Sequence, residues 1–119
     1  MEINEKMDIY EHDIKGNILF YLDYENTNTV KRILDLAKKY NVSTSIKFVI
    51  ENPNLEFPVV VVAGNVSNLK EDIPRDFLLE IVKIRKSKTL IGYIEDIYTD
   101  IGFELDENLR IKEVWIPEE

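Results

Sequence analysis

The chain has 119 residues, with 15 Lys and Arg against 23 Asp and Glu, a formal net charge of −8 and a sequence pI near 4.7. That length buries a core without a structural metal, and the absence of cysteine removes disulfides, thiolate metal sites and thiol catalysis together. The acidic balance opposes broad binding to phosphate backbones, and no apolar run approaches the roughly 20 residues of a membrane helix.

The N-terminus, acidic and interrupted, reads as neither a secretion signal nor a transit peptide, so a cytoplasmic location is expected. Residues 1–119 are expected to form one α/β domain, with a core over 17–86 and a C-terminal extension over 87–119. A bias towards Ile, Lys and Glu with no Gln resembles heat-adapted proteins, although ten asparagines run against it. The single histidine, His12, reads as a solvated side chain and not as a catalytic base.

In residues 2–14, Ile3, Met7, Tyr10 and Ile14 share one helical face, and Gly16 stands where such a helix would end. The competing reading is a strand through Met7, Ile9 and Glu11, hairpinned at "KGN" onto the next strand. Residues 18–23 form that next strand, an apolar run suited to burial on both faces. The loop "DYENTNT" follows, and then a helix from about Asn28 to Tyr40 with Val30, Ile33, Leu34, Ala37 and Tyr40 inward. Asn28 or Thr27 can cap its start, Lys38 and Lys39 suit its negative end, and Asn41 suits a left-handed terminator.

A second strand is expected over Thr44–Glu51, with Ile46, Phe48 and Ile50 on one face. After the "ENPN" turn, Phe57–Ala63 is apolar throughout and reads as a central strand, with Pro58 tolerable only at its beginning. A second helix runs from about Pro74 to Lys86 and ends in the cluster Lys83, Arg85, Lys86 and Lys88. That cluster reads as a solvated helix end, where cations are favoured by the dipole, in preference to a nucleic-acid patch. Residues 89–101 fit either a helix through Leu90, Ile94, Ile97, Tyr98 and Ile101 or a short strand in "KTLIGYIE". The tail "FELDENLRIKEVWI" alternates as a hairpin around "DEN", and Trp115 is either packed over the core or exposed as a partner anchor.

The stretches "ILFYLDYENTNTVKRIL" and "FPVVVVAGNVSNL" resemble the thioredoxin and glutaredoxin fold, with Pro58, Gly64 and Val66 at the positions of its cis-proline, hairpin glycine and second hairpin strand. The resemblance covers about residues 17–84 and implies a mixed sheet with covering helices. It places Thr27 and Val30 where the redox cysteines would stand, so redox activity does not carry over. The segment 51–57 is too short for the helix that thioredoxins insert before the proline. Cysteine-free relatives include the circadian KaiB proteins, whose first loop is similar in character and whose fold serves protein contact. The alternative is a ferredoxin-like β-α-β-β-α-β sandwich with residues 89–94 as its fourth strand.

Two functions from different classes follow. The resemblance implies a redox-inactive module for protein–protein contact or self-association, through Tyr24, Glu25, Asn26, Thr27 and Asn28 together with the corner at Phe57 and Pro58. The stretch "LDYEN" also resembles the opening of NYN/PIN-type nucleases, in which Asp23 and Asn26 would belong to a metal-holding carboxylate cluster, with Glu25 beside them. That family needs further aspartates after later strands, and here the corresponding strand ends in "AGNVSN". No cofactor is expected. "DYENTNT" holds no glycine to cradle a phosphate, no Gly-x-Ser-x-Gly elbow occurs, and the adjacent pairs Glu95-Asp96 and Asp106-Glu107 read as solvated charges.

Overall fold

The computed structural model describes residues 6–11, 16–22, 27–52, 55–95 and 100–116, by backbone alone at 27, 49–52 and 55–57. Six strands, β1 (Asn17–Leu22), β2 (Thr44–Asn52), β3 (Leu55–Asn65), β4 (Leu90–Glu95), β5 (Asp100–Leu105) and β6 (Ile111–Trp115), form one sheet. Among the described residues three α-helices, α1 (Thr27–Tyr40), α2 (Leu69–Asp72) and α3 (Arg75–Ile84), and a short 3-10 helix over Val66–Asn68 accompany the sheet.

The strand order is β2-β3-β1-β4-β5-β6, and every neighbouring pair is antiparallel. The sheet is therefore not mixed. A thioredoxin-like core would set β1 beside a parallel strand, whereas here β3 separates β1 from β2 and β1 separates β3 from β4. Each crossover, through α1 and then through α3, skips one strand position, so neighbours run in opposite directions. This is the split β-α-β connectivity of the ferredoxin-like alternative, with β4 as its fourth strand and β5 and β6 added beyond it. The described residues contain no cis peptide bond.

Local chemistry explains most element limits. Helix α1 starts at Thr27, so Thr27 and Asn28 lie in its first turn and not at the cap. Its end is a Schellman motif: Asn41 has φ 57°, and the amides of Asn41 and Val42 donate to the carbonyls of Lys38 (3.3 Å) and Ala37 (2.8 Å). Pro58 is the fourth residue of β3, not its first. It is accommodated because β1 pairs with β3 only from Val60 onward, which leaves β3 paired with β2 alone at that point among the described residues. Between β5 and β6, the Asp106 carboxylate accepts from the amides of Asn108 (2.8 Å) and Arg110 (3.0 Å), closing the turn that "DEN" signals. In the basic cluster after α3, Arg85 Nε donates to the Thr89 carbonyl at 2.9 Å and Lys88 Nζ to that of Lys83.

One layer of helices covers one face of the sheet. Ile18, Phe20 and Leu22 of β1 and Val60 and Val62 of β3 pack with Val30, Ile33 and Ala37 of α1 and Phe77, Leu78, Ile81 and Val82 of α3. The segment after residue 87 is no appendage. Leu90, Ile94, Phe103, Leu105, Leu109 and Ile111 are fully or almost fully buried in the same core. Residues 90–95 are strand and not helix because Leu90 and Ile94 face inward with Gly92 between them, a period of two.

The helix expected over residues 2–14 does not form in the described part, 6–11. There Asp8 bridges Arg110, Met7 and Ile9 exchange backbone bonds with Ile111 and Leu109, and Ile9 enters the core. The segment is locked by side chains. Arg75 Nη1 donates to Asp8 Oδ2 at 2.5 Å, and the Tyr10 hydroxyl donates to the Ile73 carbonyl at 2.5 Å.

Burial pushes the Tyr10 hydroxyl well above its ordinary value near 10, while a hydrogen bond to Glu80 pushes Tyr40 up to about 12. Above pH 10 the folded state therefore keeps protons that the unfolded chain has released, and stability falls as pH rises. For Tyr10 the expected slope approaches about 1.4 kcal/mol per pH unit. Urea midpoints between pH 9 and pH 11.5 should fall less steeply in Tyr10→Phe than in the wild type; parallel curves would contradict the assignment. No helix among the described residues is long and apolar enough to cross a membrane.

Candidate interaction surface

Because side chains alternate along a strand, the inward set of each strand defines the outward one. With Ile18, Phe20 and Leu22 inward, Leu19 and Tyr21 point to the face without helices; with Leu90, Gly92 and Ile94 inward, Ile91, Tyr93 and Glu95 do the same. Strand register then aligns them. Leu19 lies opposite Ala63 on β3 and Tyr93 on β4, Tyr93 opposite Gly102 on β5, and Gly102 opposite Trp115 on β6.

The result is an aromatic row running across the sheet. The rings of Tyr21 and Tyr93 meet edge to face at 5.4 Å, and those of Tyr93 and Trp115 at 6.1 Å. Lys47 of β2 places its ammonium 5.8 Å from the Tyr21 ring centre, so the row ends on a cation. Two glycines make the packing work, one on each face. A Cβ at Gly92 would lie 2.5 Å from the Phe103 ring on the inner face, and a Cβ at Gly102 would strike the Trp115 indole on the outer one. Each glycine is the floor on which a cross-strand aromatic lies, a recognised use of glycine within strands.

Tyr21, Tyr93 and Trp115 are half-buried against one another, while Ile91 is 38 % exposed and Ile116 74 % exposed. Among the described residues no helix covers this row. Further apolar surface lies at the β2 edge, where Ile46 and Phe48 are on the helix side of the sheet but beyond the helices; Phe48 is 64 % exposed. On the helix side a groove of about 350 Å³ between α1 and α3 is lined by Arg32, Asp35, Leu36, Glu80, Lys83 and Ile84. Its charges are mixed in sign, and it has no aromatic row.

The residues expected to form the contact surface are placed as follows. Tyr24, Glu25 and Asn26 lie outside the described residues, as do Asp23 and His12. Thr27 and Asn28 open α1, with the Asn28 side chain exposed, and Pro58 is half-buried. Phe57 is in β3 opposite Val49. Leu22, the last residue of β1, pairs with Val60, two positions from Pro58. Among the described residues no group of three or more His, Asp or Glu is placed to hold a metal ion.

Reading β1 as buried on both faces concealed the aromatic row. The signal that could have exposed it was present: Leu19, Tyr21, Tyr93 and Trp115 fall on alternate positions from the core residues, and glycines interrupt β4 and β5. No family model matches the chain, and comparisons with curated proteins and with solved structures return no match.

Proposed function

We propose that this protein is a non-enzymatic interaction module that binds another protein through the helix-free face of its sheet. The observation that carries the reading is the row Tyr21, Tyr93 and Trp115, ordered by edge-to-face contacts and left without a covering layer among the described residues. Large aromatic side chains held rigid by one another lose little conformational entropy on binding, which is why Tyr and Trp dominate contact hot spots. The reading keeps the contact function expected from the sequence but moves its centre from the "DYENTNT" loop to the sheet face.

The experiment is affinity capture from the source proteome, with wild type, Tyr93→Ser and Arg32→Ser compared side by side. Arg32 lies in the groove on the helix side, so its variant controls for general surface change. A protein retained by wild type and Arg32→Ser and lost by Tyr93→Ser supports the reading. Equal retention by all three would overturn it.

A further inference from the structure

We infer that this protein forms a two-fold symmetric homodimer in which the open edge of β2 pairs antiparallel with β2 of a second copy, joining the two sheets into one. The inference goes beyond the contact reading above and stands on a different part of the sheet. Its basis is the unequal treatment of the two edges. β6 is covered at its start, where the Lys6 amide donates to the Ile111 carbonyl and the Ile111 amide to the Met7 carbonyl. Along β2, among the described residues, no strand pairs with the outer side from Thr44 to Asn52. Such a row of unpaired strand amides and carbonyls is a template for a further strand.

Natural edges are commonly blocked by an outward lysine, a proline or a bulge. β2 has no proline, and its irregularity lies at its end, between Ile50 and Asn52. Its one lysine does not guard the edge. Lys47 Nζ lies 5.8 Å from the ring centre of Tyr21 on β1, so the side chain reaches back across β3 and away from the rim. The residues on either side of it, Ile46 and Phe48, are exposed and apolar.

Pro58, opposite Phe48, has no amide hydrogen, and its place in β3 costs least where its nitrogen faces the side that β1 does not reach. Phe48 then forms a non-hydrogen-bonded pair with it and turns its own amide and carbonyl to the open edge, as do Ile46 and Ile50. The strand is self-complementary about Phe48. With the two-fold axis there, Phe48 falls opposite its symmetry mate, Ile46 opposite Ile50 and Lys47 opposite Val49. An axis at Lys47 would instead set two lysines face to face, which is destabilising. Between Thr44 and Ile50 the strand carries that single cation and no carboxylate, so two chains of net charge −8 meet here with little local repulsion. A two-fold axis normal to the sheet keeps both aromatic rows on one side of the dimer.

Sedimentation equilibrium of the full chain at tens of micromolar is expected to give twice the chain mass of 14.0 kDa. Phe48→Lys sets two ammonium groups opposite each other on the axis and should raise the dimer dissociation constant about a hundredfold. Because Phe48 is exposed in the single chain, the variant should melt at the wild-type temperature once both are diluted to monomer, which separates lost association from lost folding. Cross-linking reads the register. The chain has no cysteine, and the Cα atoms of a hydrogen-bonded antiparallel pair are about 5.5 Å apart, so Phe48→Cys should join two copies on mild oxidation. Ser45→Cys, also exposed, would hold its two thiols about 20 Å apart and should not.

The inference is overturned if the wild type sediments as a monomer, if Phe48→Lys associates as tightly as the wild type, or if Ser45→Cys cross-links as readily as Phe48→Cys. A monomeric wild type that captures a protein lost by Phe48→Lys overturns it in favour of a strand of that protein. The interaction-module reading is decided separately, by whether Tyr93→Ser loses a captured protein that Arg32→Ser keeps.

Discussion

Phe20→Ala is expected to lower the unfolding free energy by about 3–5 kcal/mol and the melting temperature by roughly 10–20 °C. Phe20 is fully buried at the middle of β1, between Val62 of β3 and Gly92 of β4. Its ring meets that of Phe103 edge to face at 5.7 Å, and Phe103 in turn lies over Gly92, where no side chain of β4 fills the space. Truncation at residue 20 therefore leaves a cavity whose neighbours cannot collapse into it without displacing Phe103. Tyr21→Ala, one residue along but on the outer face, should cost much less. Chemical denaturation with an unchanged m-value would measure both; a loss below about 1 kcal/mol for Phe20→Ala would show that the core is not centred on this ring pair.

Arg75→Ala is expected to cost about 2–3 kcal/mol, more than a surface ion pair would. Asp8 is almost wholly buried, and its carboxylate accepts both from Arg75 Nη1 and from the Tyr10 amide at 2.9 Å. Removing the cation would strand that carboxylate, and would also take away the guanidinium that lies 5.7 Å from the Tyr10 ring centre and reaches the Asn108 carbonyl at 3.3 Å. The figure is set below that for a fully buried pair because the Arg75 side chain is 41 % exposed and part of the lost charge interaction is screened by water. Hydrogen exchange should show the effect locally first, with the amides of Ile9 and Ile111 losing protection, since they bond the N-terminal segment to the start of β6. Unchanged melting and unchanged exchange would mean that the strap holds without its ion pair.

The two substitutions probe features of different legibility. The burial of Phe20 could be read from an apolar run between polar boundaries. The pairing of Asp8 with Arg75 could not, because the partners are 67 positions apart and neither residue carries a local signal that names the other. The helix expected over residues 2–14 is absent from its described part, 6–11, for the same reason. Ile3, Met7, Tyr10 and Ile14 have helical spacing, but residues 6–11 are instead held by backbone bonds to Leu109 and Ile111 and by the side-chain contacts of Asp8 and Tyr10. Tertiary contacts outweighed periodicity in a segment too short for a helix to be stable alone.

By itself the sequence determined what local physics controls. The period of Val30, Ile33 and Ala37 and the left-handed tolerance of Asn41 set α1 and its end. The run Val59 to Val62 set a strand buried on both faces, and the alternation around Asp106 to Asn108 set the last hairpin. Strand order was decided only by the tertiary structure, because a β-α-β-β-α pattern is compatible with both the thioredoxin-like and the ferredoxin-like arrangement, and hydrogen bonding between distant strands chooses between them. The aromatic row was decided there too. Tyr21, Tyr93 and Trp115 become neighbours through the registers of β1 with β4, β4 with β5 and β5 with β6, and a shift of one residue in any of these would send an entire set of side chains to the opposite face.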